Sequence, residues 1–224
     1  MNNLKNYKNK ELQYFIYTNL LIITLFSTKI SHKFFINNYD FILSLFTFLA
    51  NMGIVYTYSN ILDSILPTNI KNILVFGKTT KIPGNKAITK VFNKNYSDPR
   101  VSTTKLRDFY QDTWNEIVQK KHHNELYQNK KWYNIYISVR NESIIFFSNS
   151  NYLLARDISV LSILFVIFYP FMQIFPYIYY NYILHIYFVF IWILTIFAAH
   201  ETGKKFANNV LIENYYKGRR NEHS

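Results

Sequence analysis

Residues 158–199 read ISVLSILFVIFYPFMQIFPYIYYNYILHIYFVFIWILTIFAA, 42 residues without one Asp, Glu, Lys or Arg. That is too long for one buried core helix, and the region of Pro170 and Pro176 divides it into two apolar runs. Each run approaches the roughly 20 residues that cross a hydrocarbon core of about 30 Å. The stretch predicts a transmembrane hairpin, and with it an integral membrane protein.

The same reading extends toward the N-terminus. Leu12–Thr28 is a shorter apolar run, interrupted by Asn19, and Phe41–Tyr58 is a second, apolar except for Ser44, Asn51 and hydroxyls. The helical pattern of the second continues to Leu66, where Pro67 stops it. The first run follows basic residues, like a signal peptide. Thr28, Lys29 and Ile30 stand where small cleavage-site residues would be, which predicts a retained anchor. The third span is expected at about Ile158–Phe175, kinked at Pro170, and the fourth at Ile183–Ala199. Tyr177, Tyr179, Tyr180 and Tyr182 between them suit an aromatic belt at one interface.

Between the two hairpins the composition changes. Residues 67–151 carry 14 Lys/Arg against six Asp/Glu. The first part is basic and turn-rich. From Ser102 onward, Leu106, Phe109/Tyr110, Thr113/Trp114 and Ile117/Val118 recur at helical spacing behind a Ser/Thr cap. Trp132–Arg140 fits both strand and helix. Helix is favoured, because no Pro or Gly intervenes before Tyr169 and the segment would run into the third span. After the fourth span, Phe206, Val210, Leu211 and Tyr215 mark one side of a tail helix ending in KGRR, which would pack on the insert or lie on an anionic leaflet.

The expected fold is therefore an all-α membrane protein with four transmembrane helices arranged as two hairpins around a mainly helical cytoplasmic insert. Its parts are an N-terminal hairpin (1–66), a basic insert (67–151), a C-terminal hairpin (152–203) and a basic tail helix (204–224). Residues 1–13 hold three Lys and one Glu, and the tail 201–224 five cations against three anions. The connecting loops hold two Lys and none. Four spans put all the basic blocks on one side, so the positive-inside rule predicts a multi-pass protein with cytoplasmic termini and a cytoplasmic insert.

Chemistry is harder to find. There is no Cys, which removes disulfides and thiolate metal sites. Phe76-Gly77-Lys78-Thr79 looks like the end of a phosphate-binding loop, but Asn72 occupies the place of its first Gly. Adjacent His122 and His123 point about 100° apart on a helix and do not readily share a metal. No Gly-x-Ser-x-Gly or His-Glu-x-x-His occurs. No catalytic, cofactor-binding or metal-binding residue is assigned, and a non-enzymatic protein is expected.

Polar residues inside apolar helices usually face a bundle interior or a water path. Asn51, Gln173, Asn181 and His185 are the candidates for such a path. They support an alternative reading as a small channel or transporter, although interhelical bonding accounts for them more simply. Lys120, Lys121, Lys130, Lys131, Arg156, Lys204 and Lys205 are candidate contacts for a partner or for lipid headgroups. Trp114 and Trp132 among Lys/Arg leave nucleic acid open as a partner, but cytoplasmic loops are commonly basic.

The third span is entered by NSNYLLARDISVLSILF and the fourth is followed by AHETGKKFANNVLIENYYKGRR. In plan the chain resembles small multi-pass bacterial inner-membrane proteins of the kind used as anti-phage defence effectors, which couple a cytoplasmic sensing part to a membrane-permeabilising part. The resemblance implies an insert that binds a signal or an operon-encoded protein partner. It also implies spans that form a homo-oligomer in the bilayer and permeabilise it in phage defence or stress.

Overall fold

The structure, a computed structural model, describes residues 2–27, 53, 57, 66–78, 82–93, 96–119, 124–174 and 179–222. In chain order the helices are α1 (Asn2–Ser27), α2 (Thr68–Phe76), a 3₁₀ turn (Pro83–Lys86), α3 (Ala87–Phe92), α4 (Thr103–Gln119), α5 (Asn124–Val139), α6 (Ser143–Phe168), a second 3₁₀ segment (Tyr169–Ile174) and α7 (Tyr182–Glu222). Among the described residues the only β pairing is an isolated bridge between Asp98 and Val101. The chain is all-α. It divides into two compact units, one of residues 1–71 with 154–198, the other of residues 72–153 with 199–224.

The first unit has an apolar core supplied by three helices. Leu12, Ile16, Leu20 and Ile23 fall on one stripe of α1 and meet Leu161 of α6, Tyr169, and Leu184 and Phe188 of α7. The spacing of four, four and three residues is what a helix needs to keep one face inward. Phe165 stacks on Phe188 at 5.4 Å and Phe15 meets Phe165 edge-on at 6.3 Å.

Among the described residues two helices are long and apolar enough to cross a membrane, Ser143–Ile174 and Tyr182–Asn221. Helix α1 is not one of them. Lys10, Glu11 and Gln13 open its apolar run and Asn19 sits in the middle, so its apolar content is diluted. The expected span at 41–58 lies outside the described residues, apart from Gly53 and Thr57.

Two boundaries differ from the sequence expectation. Pro170 does not kink a continuing α-helix: α6 stops at Phe168 and the chain tightens into the 3₁₀ segment. Proline lacks an amide donor and disfavours α geometry at the residue before it, so an i→i+3 turn replaces the α-helix there. Nor does helix run unbroken from Trp132 into the third span. Residues 140–142 form a turn in which the Glu142 amide donates to the Val139 carbonyl at 3.0 Å, and the Glu142 carbonyl then accepts from Ile145 and Phe146. Asn141 and Ser143 favour such local bonding over helix, which ends α5 without Gly or Pro.

The second unit wraps short helices around the C-terminal part of α7. Ile88, Val91, Leu106, Ile117, Val139, Ile145, Val210 and Leu211 are fully buried. Two aromatic side chains fix α7 through its carbonyls: Trp132 Nε1 donates to Ala207 O at 3.2 Å, and Tyr110 Oη to Leu211 O at 2.8 Å. His200 contacts the Val75 carbonyl at 3.1 Å and lies 4.7 Å from the Phe76 ring. The tail thus packs on the insert as part of one helix of 41 residues, about 60 Å long, with no break at Gly203. A Cβ on Gly203 would come within 2.6 Å of Pro83 Cγ and 3.2 Å of the Tyr152 ring, so the glycine serves close packing.

Candidate functional site

Three constellations gather the polar and charged residues. The first lies among the apolar helices. Asn181 caps α7, its Oδ1 accepting the Ile183 amide at 3.0 Å. Its own amide donates to Tyr169 Oη at 3.0 Å and its Nδ2 to the Phe26 carbonyl at 3.4 Å. Tyr169 is buried, and its hydroxyl also bonds Ser27 Oγ at 2.5 Å. The His185 ring packs between Tyr169, at 6.2 Å, and Tyr180, at 5.7 Å. Asn181 and His185 are therefore joined through Tyr169. Gln173 turns back to the Pro170 carbonyl at 3.0 Å on an exposed surface, and Asn51 lies outside the described residues. Asn19 is buried, donates to the Phe15 carbonyl at 2.7 Å and accepts from Tyr187 Oη at 3.5 Å. Sequence reading passed over Tyr169 and Ser27, because a Tyr in an aromatic run and a Ser at a helix end carry no distinguishing spacing.

The second constellation sits where the long apolar run begins. Asp157 receives Arg156 Nη2 at 3.0 Å and Nε at 3.1 Å, and Lys71 Nζ stands 3.8 Å away. All three side chains are at most 8% exposed. Arg156, one of the candidate partner or headgroup contacts, is thus buried and bonded to Asp157. Lys71 was legible only as one more cation of the insert.

The third constellation belongs to the second unit. Gly77, with φ 73°, follows the last residue of α2, and its amide donates to the Ile73 carbonyl at 2.8 Å. The Phe-Gly-Lys stretch is therefore a helix C-cap, the left-handed position glycine fills best. Lys131 pairs with Glu116 and lies 5.6 Å from the Tyr127 ring centre, while Lys130 is exposed. Lys120 and Lys121 lie outside the described residues. Lys204 pairs with Glu201 one turn earlier, and Lys205 beside it is exposed.

Lys204 and Lys205 line a cavity of about 250 Å³ together with Lys90, Tyr96, Asn208 and the methyl groups of Ala87 and Ala207. Its wall is braced by a chain of bonds. Tyr96 Oη donates to Asn208 Oδ1 at 2.5 Å and Asn208 Nδ2 to Asp98 Oδ2 at 2.7 Å, while Arg100 holds both carboxylate oxygens of Asp98 at 2.9 Å. Arg100 keeps the Asp98 carboxyl below the usual carboxylate range. Crowding by protein atoms and then the charge of Lys204 hold Lys90 below the ordinary lysine range. Lys204 in turn lowers Glu201. Among the described residues no group of three or more His, Cys, Asp or Glu is placed to hold a metal ion.

No protein family, curated protein or solved structure matches this chain.

Proposed function

We propose that the chain is a non-enzymatic integral protein of the bacterial inner membrane with four spans and cytoplasmic termini. In this reading the basic insert binds a signal or a protein partner, and the spans oligomerise and permeabilise the bilayer in phage defence or stress. The observation that carries the membrane part is the direction of the apolar side chains. On α7, Ile186, Phe190, Ile193, Leu194 and Phe197 are 43–65% exposed, and Ile167 and Phe168 at the end of α6 and Phe171 in the 3₁₀ segment after it are also exposed. The core helix of a soluble protein turns such residues inward. A continuous exposed apolar surface calls for lipid or another copy of the chain to cover it.

The effector reading is supported by where the polar groups go. In lipid, apolar burial between helices contributes little, and interhelical hydrogen bonds average about 0.6 kcal/mol. Bonds such as Ser27–Tyr169 and Tyr187–Asn19 therefore fit a bundle with modest internal cohesion, one able to re-pair with copies of itself. Asn181 engages backbone groups and Tyr169, and His185 is packed between rings. These roles favour helix pairing over a dedicated transport path.

The test is expression of the full chain in bacteria with a potential-sensitive dye and alkaline carbonate extraction of the membranes. The chain should remain in the carbonate pellet, and induction or triggering should collapse the membrane potential. A chain released by carbonate would overturn the membrane reading. A polarised membrane under every condition tried would overturn the permeabilising one. Conductance that persists but is abolished by His185→Ala in a folded chain would restore the channel alternative.

A further inference from the structure

We propose that the cavity formed by Lys90, Tyr96, Lys204, Lys205 and Asn208 binds a phosphate group, carried either by an anionic lipid headgroup or by a soluble phosphorylated molecule. The inference deepens the reading of the insert as the binding part of the protein and rests on it in that respect alone.

The cavity concentrates positive charge that local carboxylates do not neutralise. Among the described residues, no ion pair is formed by Lys90 or Lys205. Glu201 acts on both at longer range and pairs directly with Lys204, but that pair is more than half exposed on each side. An exposed pair of this kind is weak, so Lys204 can exchange Glu201 for a stronger anion. Asp98 stands behind the wall and is taken up by Arg100, leaving the cationic face open. Lys86, the other cation felt by Lys90, has its own carboxylate in Glu125 at 2.9 Å.

Shape agrees with charge. The lysines enter from two elements, Lys90 from α3 and the adjacent pair from α7, so they converge on one volume rather than lining a single helix face. Tyr96 and Asn208 bond to each other and to Asp98 and so stiffen a wall that is mostly apolar, leaving the lysine ammonium groups as the donors for an anion. The volume of about 250 Å³ lies just below the ~300–1,000 Å³ of typical drug-sized sites. It suits a phosphoryl group with a small appendage such as glycerol. Ammonium groups bind phosphate as point charges, without the planar fork by which arginine grips carboxylate or phosphate. Lys204 and Lys205 also follow the last residue of the uncharged run, Ala199, by five and six positions. That spacing is what makes a headgroup an eligible source.

The test uses the full chain in two settings. In neutral detergent, thermal unfolding is followed against inorganic phosphate and glycerol phosphate, with chloride at matched ionic strength as reference. In nanodiscs, phosphatidylcholine is compared with phosphatidylcholine containing phosphatidic acid. Lys90→Ala with Lys205→Ala removes the site, Lys90→Arg with Lys205→Arg keeps its charge, and Lys78→Ala with Lys105→Ala, both exposed, removes the same charge elsewhere in the unit. Circular dichroism checks that each variant folds. Stabilisation by phosphate in detergent that is weakened at least tenfold in apparent affinity by the site variant, and retained by both others, supports a soluble ligand. Stabilisation confined to phosphatidic acid, with the same pattern, supports a headgroup. Equal responses in the site variant and the wild-type chain, or no response in either setting, overturn the proposal. A failure here with carbonate resistance intact removes the pocket and leaves the membrane reading standing.

Discussion

At the residue scale, Gly203 separates intrinsic preference from packing. In a helix interior, Gly to Ala is favourable by about 1 kcal/mol on propensity. Here the added Cβ would meet Pro83 Cγ at 2.6 Å and the Tyr152 ring at 3.2 Å, atoms held by a proline ring and a buried side chain. Overpacking of this kind costs about 1–3 kcal/mol, so Gly203→Ala should lower stability on balance by about 1 kcal/mol. Urea unfolding of the full chain measures this; a stabilised variant would show that Pro83 gives way freely. Tyr110 makes a second case. Burial pushes its phenol well above the usual range, opposed by Asn214 Nδ2 donating to Oη at 3.0 Å, and burial likewise pushes Tyr96 up to about 12. The unfolded phenol titrates near 10. Above that pH the unfolded chain binds fewer protons than the folded one, so stability falls as pH rises until the folded phenol ionises. Tyr110→Phe should cost about 0.5–1.5 kcal/mol at neutral pH by orphaning its partners. It should also make the alkaline decline shallower by up to about 1.4 kcal/mol per pH unit. Tyrosinate absorbance read alongside unfolding checks both; an unchanged alkaline slope would mean that Tyr110 ionises in the folded state.

At the element scale, α7 carries two kinds of surface on one helix. Its first half exposes Ile186, Phe190 and Phe197, and its second half buries Phe206, Val210, Leu211 and Tyr215. Lysine at the centre of a spanning helix costs about 2.5–3.5 kcal/mol per residue. Phe190→Lys with Leu194→Lys should therefore shift the chain from carbonate-resistant to extractable while leaving the insert folded. Extraction unchanged by both lysines would place this face against protein. Much of this element was legible beforehand. The uncharged run marked the apolar half, and Phe206, Val210, Leu211 and Tyr215 marked the buried stripe of the tail. The helical reading of Trp132–Arg140 and the Ser102-led helix were also legible, because a 3.6-residue period survives in sequence. What was not legible depends on partners distant in sequence. The close packing at Gly203 involves Pro83 and Tyr152, and the burial of Arg156 comes with Lys71 and Asp157 beside it. The basic cavity needed Lys90, more than a hundred residues from Lys204, so the sequence pointed to two of its three lysines and gave no reason to join them to the third.

At the scale of the whole molecule, the charge pattern makes a claim about sidedness that the chain is well suited to answer. It has no cysteine, so one introduced thiol at a time reports its own position to a membrane-impermeant maleimide. Lys78 and Arg219 are exposed residues of the basic second unit, and Tyr179 is exposed in the uncharged turn before α7. If the Lys/Arg bias sets orientation, Tyr179→Cys should label in intact cells, and Lys78→Cys and Arg219→Cys only after the inner membrane is opened. The informative position is Asn3→Cys. Helix α1 has a mixed composition, and its apolar stripe of Leu12, Ile16, Leu20 and Ile23 is buried against other helices. It can therefore cross the membrane within a bundle without being apolar all round. Crossing places residue 3 on the same side as Lys78 and Arg219, given a further crossing between residues 28 and 66. Labelling of Asn3→Cys in intact cells, with Lys78→Cys protected, would leave an odd number of crossings ahead of the insert. The first hairpin would then be lost, and with it the agreement between span count and charge. Protection of residues 3, 78 and 219 with exposure of 179 is the only pattern that fits two hairpins around a cytoplasmic insert.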